Sequence, residues 1–189
     1  LPADKEGRLS LEAGALALEK LCSCGVCLIG PGLGRGNGTY AVVRQLLREA
    51  RLPVVLDADG INALEGHIDV LDARQGLFTV LTPHDGEFAR LGGDLSGGDR
   101  LGAALDFARR HGCCLVLKGH CTITAFPDGS AFLNTTGNPG MAKGGSGDVL
   151  GGMILALLGQ GLSARRCPWR CGSTAPRETA ARKRRGSTV

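Results

Sequence analysis

Aromatic side chains are rare in this chain: one Trp, one Tyr and five Phe make up 4% of 189 residues, against a hydrophobic fraction of 43%. The length suffices for one domain with a sizeable core, and that core must be largely aliphatic. No apolar run is long enough for a membrane span and no signal peptide is visible, which argues against a membrane role and predicts a cytoplasmic protein. Histidine is scarce, with four residues. None stands at ligand spacing from Cys22-x-Cys24-x-x-Cys27, and no second C-x-x-C unit accompanies that cluster; a zinc site would want one or the other. Cys27, Cys113 and Cys114 fall instead in apolar runs that read as buried strands, where Cys packs as a small hydrophobe. A basic excess is also missing from most of the chain. The net charge of +4 comes from Arg165, Arg166, Arg170, Arg177, Arg182, Lys183, Arg184 and Arg185, opposed locally only by Glu178. The remainder is mildly acidic, so nucleic-acid binding is not implied for the globular part.

Glycine, by contrast, is abundant: its 31 residues are roughly double the usual frequency. The most informative stretch is Asn138-Pro139-Gly140-Met141-Ala142-Lys143-Gly144-Gly145-Ser146-Gly147-Asp148, which runs into the apolar segment Val149–Leu158. Unpaired N–H groups at a helix N-terminus carry partial positive charge and bind anions such as phosphate. Glycines let that backbone approach a phosphate closely. A carboxylate in the same place acts as a base on a hydroxyl held beside the phosphate. Loop and acid together read as phosphoryl-transfer chemistry.

The remaining pattern alternates strands and helices. Strands are expected over Gly25–Ile29, Pro53–Asp57, Leu77–Leu81 and Cys113–Lys118. Helices are expected over Leu11–Leu21, Thr39–Ala50, Gly86–Leu91, Asp99–His111 and Asp148–Leu158. Pro127-Asp128-Gly129 is turn chemistry for a hairpin between Cys121–Phe126 and Ser130–Leu133. This order predicts a mostly parallel α/β sheet covered on both faces, with the hairpin appended. In such sheets ligands bind beyond the carboxyl ends of the strands, where Gly30–Gly34, Asp57–Asn62, Thr82–Glu87 and Lys118–Thr122 emerge. His67 and His111 read as solvated or satisfied side chains, whereas His84, in Thr-Pro-His after a strand, reads as a ligand. Glu87 fits a first-turn acid favouring the helix dipole as well as it fits a functional group. Asp57 and Asp59 fit helix caps equally well.

Five motifs occur in an order that resembles the ADP/ATP-dependent NAD(P)H-hydrate dehydratases, a carbohydrate-kinase-like family: Gly30-Pro31-Gly32-Leu33-Gly34; Val55-Leu56-Asp57-Ala58-Asp59-Gly60-Ile61-Asn62-Ala63-Leu64; Leu81-Thr82-Pro83-His84-x-Gly86-Glu87-Phe88; Leu117-Lys118-Gly119-x-x-Thr122; and Asn138-Pro139-Gly140-Met141-Ala142-x-Gly144-Gly145-x-Gly147-Asp148-Val149-Leu150. The resemblance runs from about Gly25 to Ser163. It implies a ribokinase-like three-layer sandwich, incomplete at the N-terminus, over residues 1–162. It also implies repair of hydrated NADH or NADPH: phosphorylation of the offending ring hydroxyl by ADP or ATP with Mg²⁺, then loss of phosphate. Carried over by motif, Asp148 is the base, with Gly145 and Gly147 beside it. Lys118, Gly119, His120, Cys121, Thr122, Gly144 and Gly147 hold the nucleotide. Gly32, Gly34, His84, Glu87 and Asp148 meet the hydrated nicotinamide nucleotide. No direct metal ligand is assigned, and Asp57 and Asn62 shape the same edge. The resemblance further implies a homo-oligomer, a tetramer in the family, and a functional link to an NAD(P)H-hydrate epimerase.

Two departures stand out. The family domain begins well upstream, and residues 163–189 replace an apolar helix carrying His-Gly-x-x-Gly-Asp with an aperiodic, Arg-rich tail expected to be disordered. Joining the last base of each codon to the first two of the next lets Ser173–Thr179 spell His-Gly-Ala-Ala-Gly-Asp, as an out-of-frame translation of that helix would. Loss of the helix would expose an apolar flank of Val149–Leu158 and lower stability or promote aggregation. Two rival readings stay open: a small-molecule kinase of the same fold, acting on a sugar, hydroxymethylpyrimidine or thiazole, and a non-catalytic fragment.

Overall fold

The structure is a computed structural model that describes residues 1–161. The Arg-rich tail, with its hidden motif, lies outside the described residues. Among the described residues six strands form one sheet in sequential order: β1 (Cys27–Ile29), β2 (Val54–Leu56), β3 (Thr79–Leu81), β4 (Cys114–Leu117), β5 (Thr122–Ala125) and β6 (Ala131–Asn134). β1 to β4 are parallel, and β5 and β6 add an antiparallel hairpin. β2, β3 and β4 are buried at every position, as expected of parallel strands with both faces covered.

Pleating sends successive side chains to opposite faces. Val54, Leu56, Leu81, Leu115, Leu117 and Ile123 join the larger core. That face is covered by α1 (Ala13–Leu21), α2 (Asn37–Glu49), α3 (Ala58–Asn62), α4 (Asp85–Arg90) and α5 (Arg100–His111). Val55, Val80, Cys114 and Val116 face the smaller core with Ile154, which lies on α6 (Ser146–Gly159). Among the described residues α6 is the one helix on that second face, giving three layers.

Local chemistry sets the helix ends. α2 buries Val42, Val43, Leu46 and Leu47 at helical spacing. The Asp99 side chain caps α5 by accepting from the Gly102 N–H at 2.8 Å. Gly112 ends α5 in the left-handed region, at φ +61°. The strands and helices expected from the sequence all form, with boundaries shifted by up to two residues. Cys113 and Cys114 are buried, but Cys27 is only half-buried because it opens the strand at the edge of the sheet.

Candidate functional site

Three strand ends meet the start of α6. Asp57 follows β2 and is 1% exposed. Its Oδ1 accepts from Lys118 Nζ at 2.9 Å and from Thr82 Oγ1 at 2.8 Å. Lys118 follows β4, and Thr82 follows β3. Glu87 Oε2 lies 3.8 Å from the same Nζ, so one ammonium sits between two carboxylates. Gly147, in the first turn of α6, closes the group: a Cβ there would lie 3.4 Å from Asp57 Oδ2 and 3.5 Å from Lys118 Nζ. The cluster therefore abuts the positive end of a 14-residue helix. Gly145 precedes that helix in the left-handed region at φ +89°, a conformation glycine adopts without strain. Asp148 stands exposed in the same first turn, next to Gly147.

His84 and Glu87 both carry a structural duty. His84 Nδ1 accepts from the N–H groups of Gly86 and Glu87, at 3.0 and 3.2 Å. Glu87 Oε2 accepts from the His84 N–H at 2.9 Å. This is a capping box with histidine at the N-cap. With Nδ1 accepting, the ring proton lies on Nε2, which stands 3.6 Å from Glu87 Oε1 on an exposed ring. Glu87 thus serves as first-turn acid and as part of the charged cluster together.

The loop after β1 is tied to α3. The Gly34 N–H donates to Asp59 Oδ2 at 3.1 Å, and Asn62 Nδ2 donates to Asp59 Oδ1 at 3.2 Å. Gly32 and Gly34 both have positive φ. After β4, Thr122 Oγ1 donates to the Gly119 carbonyl at 3.2 Å and closes the turn, while His120 and Cys121 stay exposed and touch each other at 3.7 Å. Arg100 reaches in from α5, donating to the Lys118 carbonyl at 3.3 Å and pairing with Asp85.

The structure corrects the reading of Asp57 as a helix cap. It occupies the N-cap position of α3, yet its side chain makes no capping bond; the carboxylate turns to Lys118 and Thr82 instead. Thr82 was not singled out by itself, although Thr-Pro-His placed it at a strand end. Arg100 was missed altogether, since an arginine opening a helix gives no sign of reaching another strand's end.

A sheet wound to one side, with a lysine, two carboxylates and a glycine-started helix at its carboxyl edge, defines a ribokinase-like α/β domain. The chain belongs to the carbohydrate-kinase family described as NAD(P)H-hydrate dehydratase, whose model matches residues 6–185. It is 47% identical over 165 residues to the bifunctional NAD(P)H-hydrate repair enzyme of Moorella thermoacetica, covering 86% of this chain and 31% of that protein. It is 41% identical over 140 residues to the ADP-dependent (S)-NAD(P)H-hydrate dehydratase of Neisseria meningitidis, covering 71% of this chain and 47% of that one. Among solved structures, the ADP/ATP-dependent NAD(P)H-hydrate dehydratase of Bacillus subtilis, co-crystallised with ATP/Mg²⁺ and soaked with CoA, superposes with a TM-score of 0.57 at 35% identity, covering 75% of this chain and 53% of that one. The chain thus spans a third to a half of the proteins it matches.

Proposed function

We propose that this chain carries out the ADP- or ATP-dependent dehydration of the S form of hydrated NADH or NADPH. The observation that carries the reading is the meeting of Lys118 with the amide end of α6 at Gly147, a place where a transferring phosphoryl group would find both a cation and N–H donors. Asp148, beside it, accepts the proton of the ring hydroxyl as that oxygen bonds to phosphorus and the nucleotide leaves one phosphate shorter. The C–O bond to the phosphorylated oxygen then breaks, driven by the ring nitrogen lone pair. Phosphate departs, a proton leaves the adjacent carbon, and the dihydronicotinamide is restored. Gly119, His120, Cys121 and Thr122 border the nucleotide with Gly144, and Gly32, Gly34 and His84 border the substrate.

Among the described residues no group of three or more metal-ligating side chains exists. Mg²⁺ would arrive with the nucleotide, since this ion needs only one or two carboxylates beside substrate phosphates and water. Glu87 and Asp148 are the carboxylates available, and the ion would supply charge neutralisation on the phosphates. No helix among the described residues is long and apolar enough to cross a membrane. A symmetric oligomer, a cytoplasmic setting and a functional link to an epimerase complete the proposal.

The test incubates the chain with ADP or ATP, Mg²⁺ and hydrated NADH and follows the return of reduced-ring absorbance. Recovery that Asp148→Asn abolishes supports the reading. A stable phosphorylated product would show a kinase instead. No nucleotide binding at all would show a non-catalytic fragment.

A further inference from the structure

We propose that Asp57 is the positioning residue for Lys118, fixing its ammonium at the start of α6; this rests on the reading of Lys118 as the nucleotide-phosphate cation. Three observations lead there. First, Asp57 gives up the stabilising cap of its own helix and spends Oδ1 on Lys118 and Thr82.

Second, the backbone that aims it is strained and locked. Ala58, the next residue, is the one non-glycine residue with positive φ among the described residues, at +47°. Such strain persists where surrounding structure over-determines it. Here the β1 loop presses on the turn so closely that a Cβ at Gly30 would lie 1.7 Å from the Asp57 carbonyl oxygen, and one at Gly60 would lie 2.4 Å from the Ile29 carbonyl oxygen. No side chain fits at either place, so the turn cannot relax toward β1.

Third, the contact is part-buried, with the Asp57 side chain enclosed and Lys118 only partly exposed, and it is directional. A lysine is a flexible point charge with three donors, and nothing in its own strand fixes where the ammonium sits. Asp57 Oδ1, itself fixed by the Thr82 hydroxyl, sets one direction, and Glu87 Oε2 at 3.8 Å sets a looser second one. The remaining direction opens toward Gly147, where a Cβ would stand 3.5 Å from Nζ. Asp57 therefore acts on the nucleotide through Lys118 and need not touch it.

A double-mutant cycle tests this, with ADP affinity by calorimetry and kcat for NADH recovery as readouts. Asp57→Asn keeps the shape and removes the charge. It is expected to weaken ADP binding or lower kcat by at least tenfold, with KM for hydrated NADH changed less than twofold. Thr82→Val, which leaves both charges in place, shifts the same quantity less and in the same direction. In a Lys118→Met background, Asp57→Asn should change either readout less than twofold. Equal effects of Asp57→Asn with and without Lys118 overturn the positioning role while leaving the proposed function standing. Failure of the unaltered chain to bind ADP overturns both.

Discussion

Arg74 offers the sharpest test of how this fold is held. It ends a 3₁₀ segment (Ile68–Arg74), is 1% exposed, and pairs with no carboxylate among the described residues. Its guanidinium closes the C-terminal end of α2 instead. Nη1 donates to the carbonyls of Leu47 (3.2 Å) and Ala50 (2.8 Å), Nη2 to that of Leu52 (2.7 Å), and Nε to Thr79 Oγ1 (2.9 Å). A helix leaves its last carbonyls unpaired and partially negative, so one rigid fork satisfies the turn between α2 and β2. Burial pushes its pKa down, and Arg51 adds to that, yet an arginine remains charged.

Arg74→Met keeps much of the volume and removes the donors. Three carbonyls and a hydroxyl lose a partner at about 1 kcal/mol each, and the favourable cation at the helix end goes with them, roughly 0.5–1 kcal/mol. Relief of the buried charge offsets part of this. The expected net loss is about 2–4 kcal/mol, a large share of a typical total of roughly 5–15. Urea unfolding followed by circular dichroism measures it, with an unchanged slope in denaturant. A loss under about 0.5 kcal/mol would refute the assignment of Arg74 as the closing device of α2.

Gly30→Ala places a methyl group against the Asp57 carbonyl oxygen at a backbone φ of +139°, and is expected to cost more than about 3 kcal/mol in the same assay. Burial lowers the pKa of His111 below 6.5, with Arg110 adding to this and Asp72 opposing it. The unfolded chain therefore binds that proton first; stability falls as pH drops through about 6.5 and levels off below the folded-state pKa. His111→Gln should flatten the corresponding slope in a pH series of unfolding curves. Burial pushes the Cys113 thiol up to about 12 and the Cys114 thiol further still. With Cys167 and Cys171 replaced by Ser, a thiol reagent should label exposed Cys22, Cys24 and Cys121 quickly, half-buried Cys27 slowly, and Cys113 and Cys114 only after unfolding.

Layer order and topology class were legible in the sequence because the parallel strands are short apolar runs between helical spacings, and the hairpin announces itself through Pro127-Asp128-Gly129. The motif residues at the sheet edge were legible for the same reason: each directly follows a strand. Pairings across the sheet were not. Asp57 and Lys118 lie 61 positions apart, and nothing local distinguishes an aspartate that caps from one that turns away into a lysine. Arg74 was equally hidden, since a basic residue before a turn reads as surface until the backbone folds over it. Histidine at an N-cap is likewise invisible to a rule that looks for Ser, Thr, Asp or Asn, although Glu87 three residues on was half of the signal.

The glycines of α6 show why this helix sits where it does. Gly147 and Gly151 are four positions apart and so share one side of the helix. A Cβ at Gly147 would meet Asp57 and Lys118, and one at Gly151 would lie 3.3 Å from both Leu28 methyl carbons. Each glycine weakens a helix by roughly 1 kcal/mol relative to alanine. Fully buried Ile154 anchors the following turn, and burying such a side chain returns roughly 1.5–3 kcal/mol. A helix selected for stability alone would carry alanine on that side and stand farther from the sheet. The bare stripe instead lets the helix lie down on β1 and β2, which brings its first amides to the edge where Asp57 and Lys118 meet. The amide end of α6 and the Lys118 ammonium are thus placed together by an absence of side chains, at a cost in helix propensity that apolar packing farther along the same helix offsets.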